Sequence, residues 1–116
     1  MIKGLHGIFY TTDPEGARAF LRDKLGFPHV DAGDGWLIFG LPEADLGCHP
    51  ADHAFHGISF FCEDLDATIK ELAARGVAFT PVAEEEWGRT TTFELPGGGP
   101  VMIYQAKYDR GAKQRD

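Results

Sequence analysis

Cysteine is scarce in this chain of 116 residues: only Cys48 and Cys62 occur, and they have no CxxC spacing. That excludes a zinc ribbon and a disulfide framework. Both thiols fall in apolar, strand-like runs, where a buried free cysteine is expected. Basic residues are in deficit, 11 Lys and Arg against 18 Asp and Glu, for a net charge of −7. Phosphate binding needs clustered Lys and Arg, so no nucleic-acid partner is expected. No apolar run approaches the ~20 residues of a membrane span, so no membrane association is expected. Met1-Ile2-Lys3-Gly4 carries no extended apolar segment of the signal-peptide kind. A cytoplasmic protein is the resulting expectation. An apolar fraction of 43% allows a packed core without staples.

What the chain does have is a repeat. Leu5-His6-Gly7-Ile8 returns as Phe55-His56-Gly57-Ile58, and each copy opens a strand-like run followed by a helical one. Two copies suggest a duplicated module closing on itself rather than an open solenoid. The expected organisation is one domain over 1–107, with modules at about 1–50 and 54–107 and a polar tail at 108–116.

In the first module, residues 2–11 carry the β-formers Ile8, Phe9 and Tyr10. Thr12-Asp13-Pro14-Glu15 is a helix start, and Thr12 with Glu15 fits a capping box. The helix should bury Ala17, Phe20, Leu21 and Leu25 and end at Gly26. Strands are expected at 28–31, 36–40 and 44–48, with Asp34-Gly35 as a hairpin signal. In the second module a strand at 55–62 precedes a helix opened by Asp64-Leu65-Asp66. That helix should bury Leu65, Ile69, Leu72 and Ala73 and end at Gly76. A short strand at 77–79, a charged loop at 84–89, and strands at 90–95 and 101–105 complete the plan. The order is β-α-β-β-β twice, an α+β fold. One helix per half covers one face of its strands and leaves the other to line a cleft.

The plan resembles the vicinal oxygen chelate superfamily, which includes glyoxalase I, bleomycin-resistance and fosfomycin-resistance proteins and extradiol dioxygenases. The resemblance is carried by His6 through Asp13, Ala19-Phe20 with Leu25-Gly26-Phe27, Asp64-Leu65-Asp66-Ala67 with Leu72, Arg75-Gly76-Val77, and Trp87-Gly88-Arg89. It implies two βαβββ modules forming a curved mixed sheet, a cup, with helices outside, and commonly a homodimer. In metal-dependent members His, Glu or Gln on cup-facing strands hold a divalent ion, which acts as a Lewis acid on a small chelating substrate.

Strand parity tests those roles. Asp13 lies seven residues after His6, but Asp64 lies eight after His56 and seven after Gly57. Aligned on the acids, Gly57 takes the place of His6, and His56 falls with Ile58, Phe60 and Cys62 on a face suited to a helix. Ser59 and Phe61 would then face the cup. In the first module His6, Ile8 and Tyr10 share one face and Gly7, Phe9 and Thr11 the other. Both faces are apolar, so only the resemblance places His6 in the cup. A third ligand position falls on Asp45 or His49, and His29 and His53 read as exposed loop residues. Where the family often carries a Glu on its last strand, Met102 stands, a soft and poor partner for a hard ion. A rearranged metal set of His6, His49 and Gln105 would remain, for Zn, Ni, Fe or Mn. Tyr10, Trp36, Ser59, Phe61, Trp87, Arg89 and Met102 are the candidate ligand-binding residues, with Tyr104 a further aromatic for the cleft and Arg89 able to meet an anionic group. Gly97-Gly98-Gly99 is a hairpin turn and not a phosphate loop, since no Lys-Ser/Thr follows.

Three functions compete. The first is a small-molecule-binding protein of the glyoxalase/bleomycin-resistance type with an incomplete metal site. The second is a divalent-metal-dependent lyase, isomerase or dioxygenase. The third is a non-catalytic interaction module. The missing ligands favour the first.

Overall fold

The structure is a computed structural model that describes residues 7–41, 43–44, 50 and 52–108. Helix α1 spans Pro14–Ala19 and continues into a π-helical turn at Phe20–Lys24. Strands β1 (His29–Asp31) and β2 (Leu37–Phe39) form an antiparallel hairpin. Strand β3 (Ser59–Phe61), helix α2 (Leu65–Ala73) and strands β4 (Ala83–Glu84), β5 (Gly88–Leu95) and β6 (Gly99–Ala106) follow. The second half is thus a complete β-α-β-β-β unit. Its sheet order is β3-β6-β5-β4, with β3 parallel to β6 and the other pairs antiparallel.

Both helices start on an aspartate. The Asp13 carboxylate accepts from Gly16 N at 3.0 Å and Asp64 accepts from Ala67 N at 3.1 Å, satisfying otherwise orphaned first-turn donors. Asp13 therefore takes the role expected of Thr12. The Thr12 hydroxyl instead donates to Gly97 O (3.3 Å), Thr12 N donates to the same carbonyl (3.0 Å), and the Thr11 hydroxyl donates to Pro96 O (2.8 Å). These bonds seat the β5–β6 turn against the start of α1. The approach is close: a Cβ on Gly97, at φ 69°, would lie 2.5 Å from Asp13 N, so only glycine fits. Gly26 (φ 71°) and Gly76 (φ 91°) end the two helical segments as expected.

The core gathers both halves on one face of the four-stranded sheet. Ala17 and Leu21 from the first half pack with Leu72, Val77, Phe93, Leu95 and Val101 from the second. Phe93, only 2% exposed, is met by Phe20 at 5.6 Å, Phe79 at 6.2 Å and Phe60 at 6.4 Å between ring centroids. Phe27 and Phe9 extend the ring cluster through Phe60.

Several expected elements differ. Residues 7–11 carry no strand, although Phe9 packs inward while Ile8 and Tyr10 are exposed. The rest of the expected 2–11 strand, most of 44–48, and Cys48 lie outside the described residues. The expected strand at 55–62 is confined to Ser59–Phe61. Residues 77–79 form no strand; instead Thr80 N donates to Thr92 O (3.0 Å) and the Thr91 hydroxyl donates to Thr80 O (2.6 Å), and regular pairing with β5 begins at Ala83. Ala73 is exposed, because α2 buries the narrower stripe of Leu65 and Leu72.

Phe93→Ala should lower unfolding stability by about 3–5 kcal/mol in urea titrations, as expected for truncating a fully packed aromatic. Ala73→Ser on the exposed side of α2 should change it by no more than about 0.5 kcal/mol.

Candidate functional site

The register of the four-stranded sheet sorts its side chains into two faces, since paired residues project to the same side. Phe60, Ile103 and Thr91 fall in one row on the helix side, followed along β6 by Val101 with Phe93 and by Gln105 with Arg89. The opposite face carries two rows, Ser59-Met102-Thr92 and Phe61-Tyr104-Thr90. Among the described residues no helix covers this second face, yet Tyr104 is only 8% and Thr90 only 9% exposed. Two aromatics contribute to the cover of Tyr104. The Trp87 ring stands edge-on to Tyr104 at 5.6 Å, and the Tyr108 hydroxyl lies 3.2 Å from that of Tyr104. Phe61 and Met102 are half-buried and Ser59 is exposed at the edge. The result is an apolar, aromatic floor with hydroxyls set among the rings, and Trp87 as a wall at one end.

Of the expected ligand-binding residues, the sheet brings together Ser59, Phe61 and Met102, with Trp87 beside them. Tyr10 is 87% exposed in the segment before α1. Trp36, at the tip of the first hairpin, lies under the Arg18 guanidinium at 4.5 Å, so a cation–π contact ties it to α1. Arg89 shares the helix side with Gln105 and is taken up by carboxylates. It donates from Nε to Glu84 (2.6 Å) and from both terminal nitrogens to Asp66 (3.1 Å each). These bonds, Asp66 first and Glu84 second, hold the guanidinium more firmly protonated than an ordinary arginine. The same contact with Arg89, then that with Lys107, keeps the Glu84 carboxyl below the usual glutamate range. Thr90, Thr92 and Tyr108 escaped the sequence reading. Counting β5 back from the Pro96-Gly97-Gly98 turn would have placed both threonines opposite Tyr104 and Met102.

The metal set is less coherent. His6, His49 and the alternative Asp45 lie outside the described residues. Gln105 points to the helix side, where its Oε1 accepts the Leu65 N–H at 2.8 Å, so it serves the first turn of α2. On the open face of the same strand stands the Met102 thioether, and Gly57 presents no side chain. Among the described residues no cluster of three or more His, Cys, Asp or Glu could hold an ion. The Met102 thioether is a soft donor and a poor partner for a hard divalent cation. His56 is exposed before β3, His53 bonds Asp52 (2.8 Å), and His29 Nδ1 lies 3.1 Å from Phe27 O. Burial pushes the Cys62 thiol up, and it donates to Tyr104 O at 3.7 Å, so it is no ready nucleophile.

These elements define a mixed α+β fold with helices on one face of its larger sheet, and comparison with known proteins identifies its family. Residues 5–103 match the model of the Glyoxalase/Bleomycin resistance protein/Dioxygenase superfamily, and the chain belongs to that family. Among solved structures it is similar to a superfamily member from Sphaerobacter thermophilus DSM 20745, at 27% identity and TM-score 0.63, over 90% of this chain and 98% of that one. It is similar to a glyoxalase/bleomycin resistance protein from Streptomyces sp. CB03234, at 26% identity and TM-score 0.58, over 82% and 93%. It also shares its fold with TnmS3, an antibiotic binding protein from the same Streptomyces strain, at 23% identity and TM-score 0.65, over 91% and 100%. No curated protein matches the chain. No helix among the described residues is long and apolar enough to cross a membrane.

The paired charges give the site a pH signature. A glutamate held below its usual range contributes stability that is present above that range and is lost as pH falls through the depressed value. Side-chain carboxyl titration by NMR should therefore find Glu84 half-protonated below an ordinary glutamate, and Arg89→Gln should move that midpoint upward.

Proposed function

We propose that this chain binds a flat, largely apolar small molecule in its cup and does so without metal-assisted chemistry. The observation carrying this reading is the open face of the four-stranded sheet. Phe61, Met102, Tyr104 and Trp87 supply apolar and aromatic surface there, and Ser59, Thr90 and Thr92 supply hydroxyls. Binding sites of this kind gain most from aromatic area and use a few polar groups for orientation. In this reading Ser59, Phe61, Trp87 and Met102 touch the ligand, Arg89 and Gln105 brace the site from behind, and Trp36, held by Arg18 on α1, and the exposed Tyr10 stay outside it. TnmS3, which shares the fold, is an antibiotic binding protein, which supports reading this chain as a small-molecule binder as well.

The alternative of a metal-dependent lyase, isomerase or dioxygenase needs several hard ligands and an open coordination position. Met102 and the engaged Gln105 argue against it. The protein is further proposed to act as a homodimer in the cytoplasm. Val30 and Ile38 pair across the first hairpin and are 67% and 37% exposed. Ile8 and Phe55 are 53% and 68% exposed. We read this exposed apolar surface as support for an interaction face.

A thermal-shift screen of planar aromatic compounds, antibiotics included, should raise the melting temperature with at least one class, because a ligand that binds only the folded state stabilises it by mass action. Trp87→Ala should then weaken that ligand by roughly tenfold, about 1.4 kcal/mol. Absence of any shift would favour the interaction module. Metal analysis of untagged protein should find no stoichiometric divalent ion. A stoichiometric ion that disappears in His6→Ala would restore the enzyme reading. Val30→Lys should convert the dimer to monomer in sedimentation experiments, with the helical signal intact.

A further inference from the structure

We propose that the ion clasp of Asp66, Glu84, Arg89 and Lys107 positions Trp87 against Tyr104 and thereby sets the affinity of the site for flat aromatic ligands. The inference rests on reading the open sheet face as the ligand site.

Only residues 85–87 separate β4 from β5, and the clasp fastens this connection from both ends. On the β4 side, Glu84 accepts from Arg89 Nε (2.6 Å) and from Lys107 Nζ (3.0 Å). Inside the connection, Lys107 Nζ donates to Glu85 O (2.9 Å), and Lys107 N donates to Trp87 O (2.9 Å). Glu85 N closes the turn onto Gly88 O at 2.8 Å. Asp66, in the first turn of α2, fixes the other end of Arg89. A single exposed ion pair contributes little, but these converge on one short connection and leave its backbone few alternatives. Gly88 admits the arrangement, because a Cβ there would stand 2.7 Å from Gln105 O. The charged groups and the indole work from opposite sides of the loop. Arg89 lies on the helix side, whereas the Trp87 ring meets Tyr104 on the open side. Trp87 is itself 44% exposed, so the backbone of this loop, not a surrounding core, holds the ring in place.

The test uses the full chain in a Trp36→Phe background, which leaves Trp87 as the single tryptophan, with the uncharged aromatic probe N-phenyl-1-naphthylamine. Glu84→Gln and Lys107→Met should each increase acrylamide quenching of Trp87 and reduce its energy transfer to the probe. Each should also weaken probe binding about three- to fivefold. Raising ionic strength should do the same to the parent and less to the variants. Glu71→Gln, which removes the exposed pair with Arg75 on α2, should change none of these, and Lys107→Arg should restore most of the loss. Variants that lower the melting temperature but keep the parent's quenching and probe affinity would overturn the proposal. If the parent binds no probe, the ligand-site reading fails on its own. Quenching then still decides the clasp: an increase in the variants supports it and no change overturns it.

Discussion

The structure depends on Phe93. Its ring lies in the middle of β5, fully covered, and receives Phe20 from the first half and Phe60 and Phe79 from the second. Through that contact the first helix sits on the sheet of the other half. Buried aromatic pairs contribute both area and orientation, so this cluster decides where α1 lies as well as how firmly. The hydrogen bonds from Thr11 and Thr12 to the Pro96-Gly97 turn sit at the far end of the same strand. Rings and turn together fix α1 along β5, and the helices cover one face of the four-stranded sheet.

That asymmetry separates two kinds of work along the same strands. On β6, alternate residues go to different tasks: Val101, Ile103 and Gln105 hold the core and the start of α2, while Met102 and Tyr104 floor the open face. On β5, Arg89, Thr91, Phe93 and Leu95 are taken by ion pairs, hydrogen bonds and packing, while Thr90 and Thr92 lie beside Tyr104 and Met102. Because the side-chain period is two, the open face can change without disturbing the core behind it. A family whose members include resistance proteins and dioxygenases is compatible with this division. The covered face preserves the fold, and the open face carries whatever chemistry or binding the member needs.

The letters of the chain made much of this legible. Asp13-Pro14 and Asp64-Leu65 announced the helix starts, Gly26 and Gly76 their ends, and Asp34-Gly35 the first hairpin. Phe60 on the helix side with Ser59 and Phe61 opposite followed from parity alone, because β3 is short and one face is needed for the core. What stayed hidden were contacts between residues far apart in sequence. Nothing near Thr12 shows that its hydroxyl is drawn to Gly97, eighty-five residues on. Nothing near Arg89 shows that Asp66 lies within its reach. Nor could spacing reveal that Gln105 would be taken by the Leu65 N–H, since an amide suits a helix start as well as a ligand set. Parity was also silent in the first module, where Ile8, Phe9 and Tyr10 are all apolar. Only the packing of Phe9 on Phe60 separates its two sides.

The duplicated His-Gly-Ile is most informative where the two copies fail to match. A symmetric metal site would need the second copy and the last strand to present donors on the open face. The chain places Met102 there, while the nearest amide, Gln105, faces backward and binds the backbone of α2. Moving Gln105 to the open side would require a one-residue shift of β6. That shift would carry Val101 and Ile103 out of the core and leave the Leu65 N–H without its partner, and both changes destabilise the fold. The register is therefore held by the packing and not by any ligand. Within this core, the residues described on the open face offer aromatic surface, a thioether and hydroxyls, and on that set the proposed binding of a flat organic molecule rests.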